Sequence, residues 1–366
     1  VFLSKIALLN FKNHQNLSLS FKNKINCLIG NNGTGKTNLL DAIYYLCLTK
    51  SYFNQTDLQN ILFKRDFFRL EGTFEKEGKK FEIVYKLQAN KRKELSVNDS
   101  PVPRLSEHVG NFPVIIISPD DSQLITGGSE ERRRFLDNSI SQVNHEYLDL
   151  LILYNKVLVQ RNAALKRFAE TQKVDKALIE SYNRQMIGAG IKIYEARKIA
   201  LEKIYPVFKD FYRQISYERE TVGLTYNSQL NEKPFDQLLE ESFQKDLILQ
   251  RTDAGIHKDD IDFFLETNRI KKFGSQGQQK SFIISIKFAQ YDFIKKSKNY
   301  KPLLLIDDLF DKLDNDRSRK LVEMIAGDDF GQVFISDTDD KHIREVLNGK
   351  EELFEVFPML LFSTKP

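Results

Sequence analysis

Two periods run through the hydrophobic positions of this chain. Short apolar runs at Ile25 to Ile29 (INCLI), Val114 to Ile117 (VIII) and Leu303 to Ile306 (LLLI) predict buried strands. Residues 1 to 29 read as strands throughout, with Leu17, Leu19 and Phe21 alternating with serines as a half-buried strand does. Leu70 to Phe74 and Phe81 to Leu87 flank Glu77-Gly78 and predict a hairpin whose Phe81, Ile83, Tyr85 and Leu87 share one face. That predicts an antiparallel sheet beside the core. Helical spacing appears first at Leu39, Leu40, Ile43, Leu46 and Cys47.

From Ser129, a good N-cap with Glu131 and Arg132 in the first turn, the helical period runs to about Tyr205. Stripes at Leu148, Leu151, Tyr154, Leu158 and at Ile187, Ile191, Tyr194 read as core packing. The polar stretch 161–174 marks a distal turn, so 129–205 reads as a helical arm, an antiparallel pair ended by Pro206. Residues 206 to 270 return to mixed helix and strand, with a strand at Ile261 to Leu265.

Between the first strand and the first helix lies Gly30-Asn31-Asn32-Gly33-Thr34-Gly35-Lys36-Thr37, a full match to the phosphate-binding loop. Its glycines let backbone N–H groups turn inward toward phosphate oxygens, and the helix adds its positive end. Lys36 is expected on the β- and γ-phosphates of ATP and Thr37 on Mg²⁺. The late apolar run ends in Asp307-Asp308, the acidic partner such a loop needs: Asp307 for Mg²⁺, Asp308 to polarise the attacking water. Ser275-Gln276-Gly277-Gln278 opens another helix, through Ile283, Ile286 and Ala289, and gives a second anion-binding end. One γ-phosphate does not need both ends from one molecule, which hints at a dimer with shared sites.

Composition changes this picture little. The 366 residues suffice for two or three domains, and 41% hydrophobic with 29% charged content is that of a globular protein. A net charge of +4 permits nucleic-acid binding without arguing for it. Cys27 and Cys47 have neither metal-ligand spacing nor a disulfide framework and read as small buried residues in a reducing compartment. No secretory signal and no membrane-spanning run is visible, so a cytoplasmic location is expected. His257 with Asp253, Asp259 and Asp260 lacks a second histidine at ligand spacing and reads as a polar loop. Lys91 to Lys93 and Arg132 to Arg134 read first as solvated charge and second as phosphate contacts.

The order of parts resembles the ABC-type ATPase heads of the SMC superfamily, and within it the RecF family of bacterial recombination mediators. The resemblance rests on Leu8 to Asn13, the phosphate loop through Asn38, Lys50-Ser51, Ser118 to Asp121, Arg132 to Asp137, Ser275 to Lys280, and Leu304 to Phe310 with Leu313-Asp314. It implies an α/β fold, an ABC-type P-loop ATPase head of mixed sheet and flanking helices plus an antiparallel β subdomain, with a short helical arm inserted. The head would be split into 1–128 and 206–366, the arm being 129–205. It also implies an ATP-dependent head-to-head homodimer in which Ser275, Gly277 and Gln278 reach the partner's nucleotide and Leu313-Asp314 lies at the seam. The expected ligands are duplex DNA and gapped DNA junctions, the partners RecR and RecO, and the role RecA loading, fork repair and SOS induction with slow ATP hydrolysis.

Three stretches depart from the expected patterns. Gly255-Ile256-His257-Lys258-Asp259-Asp260 stands where RecF proteins usually read Gly-Pro-His-Arg-Asp-Asp, Ser118 to Asp121 offers no glutamine of the kind ABC-type heads carry after that strand, and Val333 to Thr338 lacks the histidine of many transporter-type heads, which with an Asp308 shorter than glutamate fits slow turnover. Rival readings fit less well. A transport ATPase would carry a Leu-Ser-Gly-Gly-Gln signature, an SMC protein many heptads of coiled coil, and a P-loop kinase would leave Ser275 to Gln278 unexplained.

Overall fold

A computed structural model describes residues 1–22, 24–217, 220–308, 315–338 and 354–359. The chain divides into two compact units: residues 1–122, 211–219 and 275–366 form the first, residues 123–210 and 220–274 the second.

In chain order the first unit opens with strands β1 (Phe2–Phe11), β2 (His14–Ser20) and β3 (Ile25–Ile29), then helix α1 (Lys36–Leu48). Strands β4 (Phe67–Lys76), β5 (Lys79–Gln88), β6 (Glu94–Val97), β7 (Ser100–Pro101) and β8 (Val114–Ile117) follow. The second unit carries helices α2 (Gln123–Thr126), α3 (Ser129–Ser141), α4 (His145–Thr171) and α5 (Lys176–Ile215), the last of which ends in residues of the first unit. It continues with strand β9 (Val222–Asn227), helix α6 (Phe235–Leu249), strands β10 (Asp260–Leu265) and β11 (Asn268–Arg269), and helix α7 (Ile270–Phe273). The chain then returns to the first unit with α8 (Gln276–Lys298), β12 (Leu303–Asp307), α9 (Asn315–Ala326), β13 (Val333–Asp337) and β14 (Phe354–Pro358).

The first unit holds two sheets. One is parallel, in the order β14-β3-β13-β12-β8, and the other antiparallel, in the order β2-β1-β4-β5-β6-β7. The three short apolar runs are β3, β8 and β12, and β13 is buried along its whole length. This is what parallel strands covered on both faces require. Helix α1 packs on both sheets, which explains why Leu39 to Leu48 are buried on every side of the helix rather than along one stripe.

The second unit packs α3 to α6 with the three-stranded sheet β11-β10-β9. Residues 220–274, assigned from the sequence to the C-terminal head segment, cluster here with the helices. Three local expectations are corrected. Helix α4 runs unbroken to Thr171, and Arg161, Ala164, Leu165 and Phe168 in its supposed turn are buried. Polarity there is internal: Arg161 donates to Asp246 (2.7 Å), Thr252 (2.8 Å) and Asn183 (2.9 Å). Pro206 does not end α5, which continues to Ile215. The proline is exposed and costs only the bond to the exposed Glu202 carbonyl, which water can take. Ser129 is the first helical residue of α3, with Gly128 at the cap and no side-chain bond.

Candidate nucleotide-binding site

The phosphate loop begins where β3 ends and closes into α1. Gly33 and Gly35 take φ of 85° and 94°, the left-handed region glycine enters without strain. Gly30 is needed for space instead, because a Cβ there would stand 2.4 Å from the Met359 carbonyl oxygen that follows β14. Helix α1 has no side-chain cap, so its first-turn N–H groups open toward the loop. The hairpin turn between β1 and β2 braces this arrangement. Asn13 donates to the Gly33 carbonyl (3.1 Å) and accepts from Asn38 (2.8 Å), while His14 Nε2 lies 3.0 Å from the Gly35 carbonyl. Burial holds the His14 imidazole below its usual pKa.

Each residue expected in the loop has a defined place. Asn31 and Asn32 are exposed, and Thr34 donates to the Asn31 carbonyl at 2.9 Å. Lys36 is 5% exposed and its Nζ folds back onto the carbonyls of Gly30 (2.5 Å) and Asn31 (3.1 Å). Thr37 Oγ1 lies 2.9 Å from both carboxylate oxygens of Asp307, at the end of β12. Asp307 also accepts from Ser336 Oγ of β13 (2.6 Å), and Ser336 Oγ accepts from the Asp308 amide (3.1 Å). Asp308 turns off the strand at φ 44°.

Burial raises the Asp307 pKa above the usual carboxylate range, against the lowering pull of Ser336, Thr37 and Lys36. A carboxylate and a threonine hydroxyl, 2.9 Å apart, form an oxygen donor set of the kind a hard cation takes. No group of three or more His, Cys, Asp or Glu among the described residues is placed to hold a metal ion by itself.

Ser275, Gly277 and Gln278 form a separate cluster at the start of α8. Ser275 and Gln278 make a reciprocal capping box: Ser275 Oγ accepts from the Gln278 amide (3.3 Å) and Gln278 Oε1 from the Ser275 amide (2.7 Å). Arg317 of α9 donates to the Gly277 carbonyl (3.0 Å) and to Ser281 Oγ (2.7 Å). Leu313-Asp314 lie outside the described residues. In place of a glutamine after β8, Asp121 accepts from the Ser118 amide (2.8 Å) and pairs with buried Lys287 of α8 (2.6 Å) and with Tyr52.

Sequence reasoning missed Ser336, His14 and Met359. Nothing in their spacing announces them: His14 and Met359 reach the loop, and Ser336 reaches Asp307, only through strand pairing. Part of the arginine run and of the Gly255 stretch is tied together within the second unit. Arg132 pairs with Asp260 through two nitrogens (2.6 and 3.1 Å), and Arg133 donates to the Asp259 carbonyl (2.7 Å). Asp259 is 1% exposed and paired to buried Arg197 (2.8 Å), so the polar loop turns part of its charge inward. Arg134 alone keeps surface pairs, to Glu130 and Glu131.

A phosphate loop between an inner parallel strand and a buried helix, faced by an acidic strand end, defines a P-loop nucleotide-binding unit of the α/β class. The model of the RecF/RecN/SMC N-terminal domain matches residues 2–359. Curated relatives include the DNA replication and repair protein RecF of Flavobacterium johnsoniae, 45% identical over 355 residues, 97% of this chain and 99% of that one. The RecF of Bacteroides thetaiotaomicron is 42% identical over 98% of this chain and 96% of its own. Among solved structures, the recombination mediator protein RecF with ATP superposes with a TM-score of 0.86 at 27% identity, covering 93% of this chain and 92% of that one. The Smc head domain of Pyrococcus furiosus superposes with a TM-score of 0.56 at 15% identity, covering 98% and 94%, a likeness of fold. The chain therefore belongs to the RecF/RecN/SMC N-terminal-domain family, in its RecF branch. Among the described residues no helix is long and apolar enough to cross a membrane.

Proposed function

We propose that this chain is an ATP-driven DNA-binding protein of recombinational repair and replication-fork maintenance. The observation that carries the reading is the contact of Thr37 with Asp307, which brings the phosphate loop and the acidic strand end to one point. Lys36 exchanges its two loop carbonyls for the β- and γ-phosphates of ATP. The uncapped first turn of α1 supplies amide donors, with Gly30 to Asn38 forming the cradle. Thr37 and Asp307 hold Mg²⁺, which when bound neutralises phosphate charge. Asp308, on its own branch of the turn, orients water for slow, DNA-stimulated hydrolysis.

The first unit is the ATPase head and the second carries the helical arm. ATP assembles two chains head to head. Ser275 Oγ accepts within its own capping box and keeps its O–H for the partner's γ-phosphate, with Gly277 and Gln278 beside it. Leu313-Asp314 belong to the seam by family resemblance. The ATP-bound dimer holds duplex DNA beside single-stranded gaps, mainly through phosphates and without base reading. It works in the cytoplasm with RecO and RecR to load RecA and supports SOS induction. Two likenesses support this role: the ATP-bound relative is a recombination mediator of the RecFOR pathway, and the curated relatives are DNA replication and repair proteins.

Sedimentation of wild type and Lys36→Arg with ATP, with and without a gapped duplex, tests this. The expected result is a dimer that retains DNA for wild type alone. Equal monomeric binding of DNA by both would overturn the coupling of nucleotide to DNA.

A further inference from the structure

Helix α8 carries one charge where its surroundings are apolar. From Ser281 to Tyr291 every residue is buried, and Lys287 is the single charged residue in that run. Its Nζ lies 2.6 Å from Asp121 and donates to the Ile116 carbonyl of β8 (3.0 Å) and to the Tyr52 hydroxyl (3.2 Å). Asp121 is buried too, and its other oxygen accepts from the Ser118 amide (2.8 Å). Tyr52 donates to the Asp121 oxygen that faces Lys287. None of the three belongs to the phosphate loop or to the acidic strand end.

On its other side the cluster continues to α1. The Tyr52 amide donates to one carboxylate oxygen of Asp41 (2.7 Å). Ser51 Oγ donates to the second oxygen (2.6 Å), and Lys12 Nζ pairs with it at 2.6 Å. Asp41 is a fully buried residue of α1, and Lys12 directly precedes the Asn13-His14 brace of the phosphate loop. A continuous line of polar contacts therefore runs from the brace through Asp41, Tyr52 and Asp121 to Lys287. Lys287 in turn lies about 18 Å of helix rise beyond the Ser275 cap of its own helix.

Stability does not account for this arrangement. A buried ion pair typically gains in attraction about what its desolvation costs, and an apolar pair of the same volume holds a core as well or better. What the pair adds is position. Apolar contacts along a helix have no direction and tolerate small shifts along and about its axis. A lysine bonded to a carboxylate, a carbonyl and a hydroxyl has one place. We infer that Lys287 is a positioning residue for the shared nucleotide site: it fixes α8 against α1 and so sets where Ser275, Gly277 and Gln278 stand at the partner's γ-phosphate. The inference rests on the shared-site reading above and adds the residue that aims the half contributed in trans. Placement matters there, because a group displaced by about an ångström from its reacting partner loses most of its effect.

Asp121→Asn combined with Lys287→Met tests this on the full chain. The double variant removes both charges, keeps a hydrogen-bonding group beside Ser118 and Tyr52, and strands neither ion. It should unfold in urea near the wild-type midpoint, bind ATP with unchanged affinity, and hydrolyse it with a kcat lower by roughly ten-fold or more. Mixing then locates the defect, since each shared site combines the phosphate loop of one chain with the Ser275 turn of the other. The double variant mixed with Asp308→Asn forms one intact site per mixed dimer, so hydrolysis should return although each variant alone is slow. Mixed with Ser275→Ala it forms none, and hydrolysis should stay low. A double variant with the wild-type kcat overturns the inference, because the pair then only fills space. A much lower urea midpoint overturns it as well, since the pair then serves stability. Lost ATP affinity, or no return of hydrolysis with Asp308→Asn, places the defect at the chain's own nucleotide and also overturns it. Wild type that hydrolyses ATP at full rate as a monomer would instead sink the shared-site reading itself.

Discussion

Thr37 and Asp307, 270 positions apart, meet with the threonine hydroxyl 2.9 Å from both carboxylate oxygens. The contact joins the start of α1 to the end of β12. Among the described residues it leaves a buried carboxylate with no cation of its own save Lys36 across the loop. Because burial raises the Asp307 pKa, the ionised carboxylate is an unfavourable charge above that pKa. Asp307→Asn should therefore raise the melting temperature of the nucleotide-free protein at neutral pH by about 2 °C. It should also abolish the gain that Mg²⁺ gives to ATP binding. Thermal unfolding with and without Mg²⁺-ATP checks both, and a lower melting temperature for the empty variant would contradict the charge argument.

Asp308 leaves the strand on a different branch from Asp307. If it orients water, Asp308→Asn should slow single-turnover ATP hydrolysis about a hundred-fold while ATP affinity and ATP-dependent dimerisation stay intact. A variant that loses nucleotide binding as well would place Asp308 in binding rather than in hydrolysis.

Arg161 and Asp246 form an ion pair with both side chains fully buried. Removing only the cation strands a carboxylate that burial already disfavours, so Arg161→Met should cost about 3–5 kcal/mol in the second unit. Combining it with Asp246→Leu should recover most of that loss. Urea unfolding of the single and double variants decides, and an additive double variant would mean the pair is not coupled.

Gly255 sits at φ 127°, and a Cβ on it would stand 2.5 Å from the Tyr154 hydroxyl and 2.7 Å from the Phe235 ring. Both the backbone region and the space exclude a side chain. Gly255→Ala should destabilise the second unit by about 3 kcal/mol or more, from the combined strain and overpacking. Limited proteolysis of the 220–274 segment offers a direct readout.

His257 places Nδ1 2.9 Å from the Tyr154 hydroxyl and Nε2 3.1 Å from the Thr252 carbonyl. Burial lowers its pKa to about 4. The unfolded chain therefore takes up a proton near pH 6.5 that the folded chain refuses until about pH 4, and this histidine makes stability fall as pH drops through that window. Raised pKa values at Asp246 and Asp259 in the same unit act with the opposite sign. The comparison of wild type with His257→Gln isolates the histidine: wild type should lose up to about 3 kcal/mol more between pH 7 and pH 4. Parallel stability profiles of the two proteins would refute it.

Much of the first unit was legible in the chain alone. Ile25 to Ile29, Val114 to Ile117 and Leu303 to Ile306 declare buried strands because a covered parallel strand tolerates no polar face, and all three lie in the parallel sheet. The phosphate loop is equally local, since eight consecutive residues set its backbone and its place between strand and helix. What the sequence could not settle is whatever depends on partners distant along the chain. Polar residues at 161–174 and 251–260 read as a distal turn and a polar loop, yet Arg161 and Asp259 are interior because Asp246 and Arg197 meet them there. Ser336, His14 and Met359 carry no pattern of their own and are set against Asp307 or the loop only by the pairing of β13, β2 and β14 with their neighbours. Local period and motif chemistry fix elements, because they act within a few residues. Burial of a charge, a clash at a missing Cβ and the neighbour of a carboxylate are decided by tertiary structure, because only folding brings those atoms within reach.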